Sequence, residues 1–132
     1  MIDKILSVAQ TLFSLRGEVR RARHEKRDRI ADLFEKISKC IADVSTELKA
    51  DEVPHGKCAE MRTYANMLTD TVRDEIGEEK AEQLAQDLID AHEVEALWGP
   101  LHNAPDRDNQ LAKLDQASGV FIALANLLRV RL

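Results

Sequence analysis

The residues able to do chemistry are few and scattered: two cysteines and four histidines in 132 positions. His55 and Cys58 stand three apart, and Cys40 lies on the preceding helical segment. A soft-metal site needs these to converge with a fourth ligand such as His24, His92 or His102. No CxxC or HxxxH spacing accompanies them, so the expectation is no metal and no cofactor. Bundles that hold two metal ions use Glu-x-x-His on inward helix faces. The one pair with that spacing, Glu52 and His55, encloses Pro54 in a loop. Cys58 as nucleophile with His55 as base is the least poor enzyme reading, but no orienting group or oxyanion motif supports it. Glu78 and Glu79, and the His92–Glu95 pair, read as surface helix residues, because acid–base work needs a closed cleft. There is no glycine-rich phosphate loop. These patterns assign no catalytic residue and point to a non-enzymatic protein.

Charge carries more information. Residues 1–29 hold eight Lys/Arg against four Asp/Glu, a net of +4, whereas residues 30–132 hold eleven against twenty, a net of −9. Arg16, Arg20, Arg23 and Arg27 are spaced four, three and four, which places them on one face of a helix. Two readings compete. Glu25, Asp28 and Asp32 sit at pairing distance along such a helix, giving a solvated, salt-bridged face. Otherwise the arginines form a stripe for anionic headgroups, an acidic protein or phosphates. Just before them, Ile5, Leu6, Leu12 and Phe13 form an apolar tip that needs cover: a second copy, another protein, a membrane surface or the chain's own C-terminal helix. An apolar tip beside a polybasic segment is the combination that surface anchoring uses. Nucleic acid is disfavoured by the acidic body and by the lack of aromatics among the arginines.

These residues require long helices to position them. Hydrophobic residues make up 44% of the chain and aromatics 4%, a balance that suits helices packed through Leu, Ile, Val and Ala. Ile30, Leu33, Phe34, Ile37, Ile41, Val44 and Leu48 recur at helical steps, and Pro54 and Gly56 end that run. Met61, Tyr64, Ala65, Leu68, Val72 and Ile76 mark a second rod closed by Gly77, through either a tight corner or a bent continuous helix. Ala81, Leu84, Ala85, Leu88, Ala91 and Val94 mark a third that stops near Trp98-Gly99-Pro100. Trp98 and Tyr64 read as packing anchors, with Trp98 placed to cover a bundle end. Asp106 or Asp108 caps the last helix, whose stripe is Leu111, Leu114, Phe121, Ile122, Ala125 and Leu128. Ser118-Gly119 in its middle implies a close helix approach.

Four rods at 30–50, 57–76, 78–97 and 108–131, each about 30–36 Å long, predict an all-α four-helix bundle. The first 29 residues are then surplus. Their apolar spacing continues into the first rod, predicting one protruding amphipathic helix over about 2–50. The alternative is a break near Gly17 with residues 2–16 folded back. The domain reading is a basic arm at 1–29 and an acidic bundle at 30–132.

The string Val53-Pro54-His55-Gly56-Lys57-Cys58-Ala59-Glu60-Met61, with Tyr64-Ala65 and Ile76-Gly77-Glu78-Glu79-Lys80-Ala81, resembles small bacterial all-helical proteins without an assigned activity. The resemblance covers about residues 30–98. It implies a helical module and transfers no site residues. The apolar stretch at 5–15 is shorter than the roughly 20 residues a membrane span requires. Free thiols fit a reducing compartment, so the chain reads as cytoplasmic, with peripheral membrane contact as the variant reading. The function expected is an interaction or assembly module working through the N-terminal helix. Peripheral membrane binding and a ligand-binding or enzymatic bundle are the alternatives.

Overall fold

The computed structural model describes residues 2–130, the side chains at 94 and 95 excepted. Among the described residues the protein is all-helical: α1 (Ile2–Ser14), α2 (Arg16–Arg20), α3 (His24–Lys49), α4 (His55–Ile76), α5 (Glu78–Ala91), α6 (Val94–His102) and α7 (Arg107–Arg129). The long helix expected over 2–50 is interrupted twice, at Leu15 and at Arg21–Arg23. Its first segment folds back, which is the alternative arrangement.

The reason is burial. Ile5, Ala9 and Leu12 on α1 are completely inaccessible, and Ile2 and Val8 nearly so. An overhanging helix would leave those side chains in water, at about 1.5–3 kcal/mol for each large one. Two breaks cost only the few backbone bonds around them. The chain makes both breaks without proline, and Gly17 lies within α2 rather than at either break.

With α1 folded back, the helices close a ring of five rather than a bundle of four. α3 packs on α7 and α4, α4 on α5, and α1 fills the gap between α5 and α7. Pairs along the helices set their directions. Lys26 meets Glu75 at 2.8 Å while Lys57 meets Asp43 at 3.2 Å, so α3 and α4 are antiparallel. Arg129 meets Asp32 at 2.8 Å and Lys49 meets Asp115 at 2.6 Å, so α3 and α7 are antiparallel too. Asp3 and Lys113 tie α1 to α7, and Lys4 and Asp87 tie it to α5. One hydrophobic cluster runs from Ile2 to Leu128, so residues 1–29 and the remainder share a core. At its centre Phe34 and Phe121 meet edge to face, ring centres 5.8 Å apart.

The helix ends follow local chemistry. α3 closes with Asp51 in the left-handed region at φ 57°. The Asp51 and Glu52 amides donate to the Leu48 and Glu47 carbonyls, at 3.1 and 2.8 Å, as in a Schellman motif. The Arg107 guanidinium also donates to the Leu48 carbonyl, tying the start of α7 to the end of α3. Gly77, at φ 94°, is the single residue between α4 and α5, so the join is a tight corner. Asp106 occupies the N-cap of α7, but its carboxylate accepts from Gln110 Nε2 at 2.8 Å instead of capping the backbone.

Other expectations change. The third rod divides at His92–Glu93, where Glu93 is extended, and α6 continues through Gly99 and Pro100 to His102. Trp98 and His102, one turn apart, stack at 4.8 Å across the proline and support that turn. The side chains of Val94 and Glu95, and the expected end of the last helix at residue 131, lie outside the described residues. Gly119 is exposed, and a Cβ built there meets nothing within 4 Å, so close packing does not explain it. The close polar contact is next door. Ser38 Oγ donates to the Ser118 carbonyl at 2.7 Å and Ser118 Oγ to the Ser38 carbonyl at 2.9 Å, joining α3 to α7.

Candidate docking corner of unpaired arginines

The turn from α1 through α2 into α3 gathers the arginines. Val19, 1% exposed, anchors the one-turn α2 to the core, while Arg16, Arg21 and Arg23 are exposed and Arg20 is half-buried. Arg16 and Arg20 lie on α2, Arg21 follows it, and Arg23 is the extended N-cap residue of α3. The two breaks turn the expected stripe into a corner. Arg27 leaves the group: it is half-buried, with Nη2 at 3.3 Å from His24 Nδ1.

Among the described residues, no salt bridge joins these arginines to Glu25 or Asp32. Asp32 is drawn to Arg129, and Asp28 lies 3.7 Å from His24. Among the described residues, no carboxylate lies within 4.0 Å of the guanidinium of Arg16, Arg20, Arg21, Arg23 or Arg29. Arg16 instead donates from Nη1 to the Phe13 carbonyl at 2.9 Å and stacks 4.5 Å above the Phe13 ring. Lys26 is the cation at this end that is neutralised. Hydrogen bonds from Lys26 to Glu75 and then Asp74 raise its pKa above the ordinary lysine value.

The apolar tip divides. Ile5 and Leu12 are buried between α1, α5 and α7 and offer no surface to a partner. Leu6 is half-buried against the core, and Phe13, 38% exposed, is the only one of the four that faces solvent.

The cysteine and histidine candidates do not assemble. Among the described residues, no group of three or more His, Cys, Asp or Glu side chains is placed to hold a metal ion. Cys40 and Cys58 are buried, and burial pushes their thiols up to about 12 and about 11, where the nucleophilic thiolate is scarce. Cys40 Sγ donates to the Lys57 carbonyl at 3.2 Å, a packing role between α3 and α4. Around it Lys57 bridges Asp43 and Glu60, and the Tyr64 hydroxyl donates to Glu60 at 2.7 Å. His55 is exposed at the first position of α4. Trp98 and His102 line a small recess with Leu48 and Arg107 at the opposite end of the bundle from the arginines.

No known protein family, curated protein or solved structure gives a significant match to this chain. Function therefore rests on the geometry. Among the described residues one helix, α7, is long and apolar enough to cross a membrane by length and composition, and its apolar stripe lies against α3 and α1.

Sequence reasoning passed over two contributors to this surface, Arg21 and Arg29. Both fall off the four-three-four spacing, yet both belong to the same charge run. Counting unpaired cations along the run, rather than one helical face, would have included them.

Proposed function

We propose that this protein is a cytoplasmic, non-enzymatic interaction module that docks on an acidic partner protein through the corner formed by Arg16, Arg20, Arg21 and Arg23. The observation that carries this reading is the group of four guanidiniums without a carboxylate partner among the described residues, on a chain whose net charge is −5. Twenty-four acidic residues were available, and the fold spends its ion pairs elsewhere. Guanidiniums left open in this way match carboxylates in a bidentate geometry and steer acidic partners during encounter.

A second reading, contact with an anionic membrane surface, has one observation in its favour: Phe13 is exposed beside the arginines. It is the weaker reading because Ile5 and Leu12, the apolar half of that signal, are used in the core. A polybasic patch with a single aromatic provides little insertion.

The test compares the wild type with the quadruple Arg→Ala variant at 16, 20, 21 and 23 as affinity baits, with crosslinked partners identified by mass spectrometry. The expected result is retention of proteins with acidic segments by the wild type, lost on the variant and lost again when salt shortens the Debye length to about 3 Å. Equal retention by both baits removes the corner from the function. Co-pelleting with phosphatidylserine vesicles, lost on Phe13→Ala, would favour the membrane reading instead.

A further inference from the structure

Next to the arginine corner, an open groove of about 420 Å³ lies between α3 and α4. Its walls include Arg29, Leu33 and Lys36 from α3 and Met67, Asp70 and Thr71 from α4. The charges in this groove are unequal in their commitments. Asp32 is held by Arg129 at 2.8 Å and Asp70 by Arg73 at 2.9 Å. Lys26 is held by Glu75 and Asp74. Arg29 and Lys36 are exposed and have no carboxylate within 4.0 Å among the described residues. The groove therefore presents two uncommitted cations seven residues apart on one helix, about 10 Å along its axis. Between them lies Met67, 44% exposed and one of three large apolar side chains that face solvent among the described residues. Methionine is the side chain best suited to adapt to an incoming apolar group.

The geometry points to an acidic amphipathic helix of a partner protein as the occupant of this groove. Two carboxylates seven residues apart would pair with Arg29 and Lys36, and an apolar side chain between them would rest on Met67. The spacing argues for a helix, because positions i, i+4 and i+7 share one face. A flat anionic bilayer fits less well, since the groove is concave. A second copy of the chain does not supply the pattern. Among the described residues its exposed large apolar side chains are Phe13, Met67 and Val130, and none lies between two carboxylates seven residues apart. This inference rests on the proposed acidic-partner function and adds the form of the partner segment.

The experiment uses the full chain and a fluorescent synthetic helix of about 15 residues, long enough to hold helical structure. The peptide carries Glu at two positions seven apart and Leu four after the first. Anisotropy titration at low salt should show binding that falls at least tenfold in a scrambled peptide. It should fall at least tenfold in Met67→Lys and in the Arg29→Glu, Lys36→Glu double variant, with circular dichroism confirming that each variant is folded. A peptide with Lys in place of both Glu should bind the double variant better than the wild type. The inference is overturned by absent binding, by equal binding of the scrambled peptide, or by groove variants that bind as the wild type does. It is also overturned if phosphatidylserine vesicles, and not the peptide, bind in a manner that depends on Met67. If Arg20→Ala, Arg21→Ala, Arg23→Ala abolishes peptide binding while the groove variants retain it, the corner reading stands and the groove assignment falls. If neither set matters, both fall.

Discussion

Shortening one α1 side chain at a time separates a core helix from an overhanging arm. Leu12 and Phe13 are adjacent in sequence, yet Leu12 is 0% exposed and Phe13 38%. Leu12→Ala removes three buried heavy atoms and leaves a cavity between α1, α5 and α7, at a cost of about 2–5 kcal/mol. Phe13→Ala removes a partly solvated ring and its stacking with Arg16, at a cost below about 1 kcal/mol. Urea unfolding followed by circular dichroism reads the difference. With a slope of about 1–3 kcal/mol per molar, a loss of about 3 kcal/mol lowers the midpoint by roughly 1–3 M. The Phe13→Ala midpoint moves by a few tenths. Ile5 is seven residues from Leu12, about 10 Å along the helix, so the Ile5→Ala, Leu12→Ala double variant should lose nearly the sum of the two. That sum rivals the whole net stability of a small domain, about 5–15 kcal/mol, so deletion of residues 1–22 should abolish cooperative folding. Equal, small shifts for Leu12→Ala and Phe13→Ala would refute the fold-back of α1, as would a deletion variant that unfolds cooperatively near the wild-type midpoint.

Three further outcomes follow from buried polar groups. His92, expected at the helix surface, is instead 3% exposed; its Nδ1 donates to the Leu88 carbonyl at 2.8 Å, and burial pulls its pKa from 6.5 down to about 4. The unfolded chain then binds this proton at higher pH than the folded one, so stability is full above pH 6.5 and falls by up to about 3 kcal/mol as pH drops towards 4. His92→Asn retains a donor near Leu88 and should flatten that part of the stability profile, and an unchanged slope between pH 6.5 and 4 counts against the burial argument. Cys40 and Cys58 should label with a thiol reagent at pH 8 only as fast as the protein opens, and rapid labelling of both in the native state contradicts their burial. Glu75, its side chain 8% exposed, has Lys26 as its cation, so Lys26→Met should cost about 1–3 kcal/mol and the double variant with Glu75→Gln should recover most of it by the same urea assay. A single variant as stable as the wild type would show that solvent already screens the pair.

Helix identity was readable from spacing because apolar stripes depend only on neighbours three and four residues away. The Ile30–Leu48 stripe is buried in full, and so are Met61, Ala65, Leu68 and Val72 on α4. The Schellman ending at Asp51 was not legible, since aspartate rarely supplies the left-handed residue and the nearby proline and glycine drew attention instead. The α5–α6 break at His92 was hidden as well. Nothing in Ala91-His92-Glu93 is a helix breaker, and the turn is set by the tertiary placement of α6.

Periodicity shows which faces are apolar, but not what covers them. The α1 stripe and the α7 stripe were both visible, and the sequence contains no statement that one packs on the other. The candidate site was obscured for the same reason. In a continuous helix, Glu25, Asp28 and Asp32 lie at pairing distance from the arginines, and local reasoning makes a neutralised face there. In the folded chain Asp32 pairs with Arg129, a residue 97 positions away. α7 thus draws a carboxylate off the α3 N-terminal half while the breaks at Leu15 and Arg21–Arg23 carry the arginines outward. Cations without a carboxylate partner among the described residues, at the corner and in the adjoining groove, are a consequence of tertiary packing. For this reason the proposed recognition depends on α1 being folded back: a variant that released α1 would change the arginine geometry as well as the core, and binding and stability would be lost together.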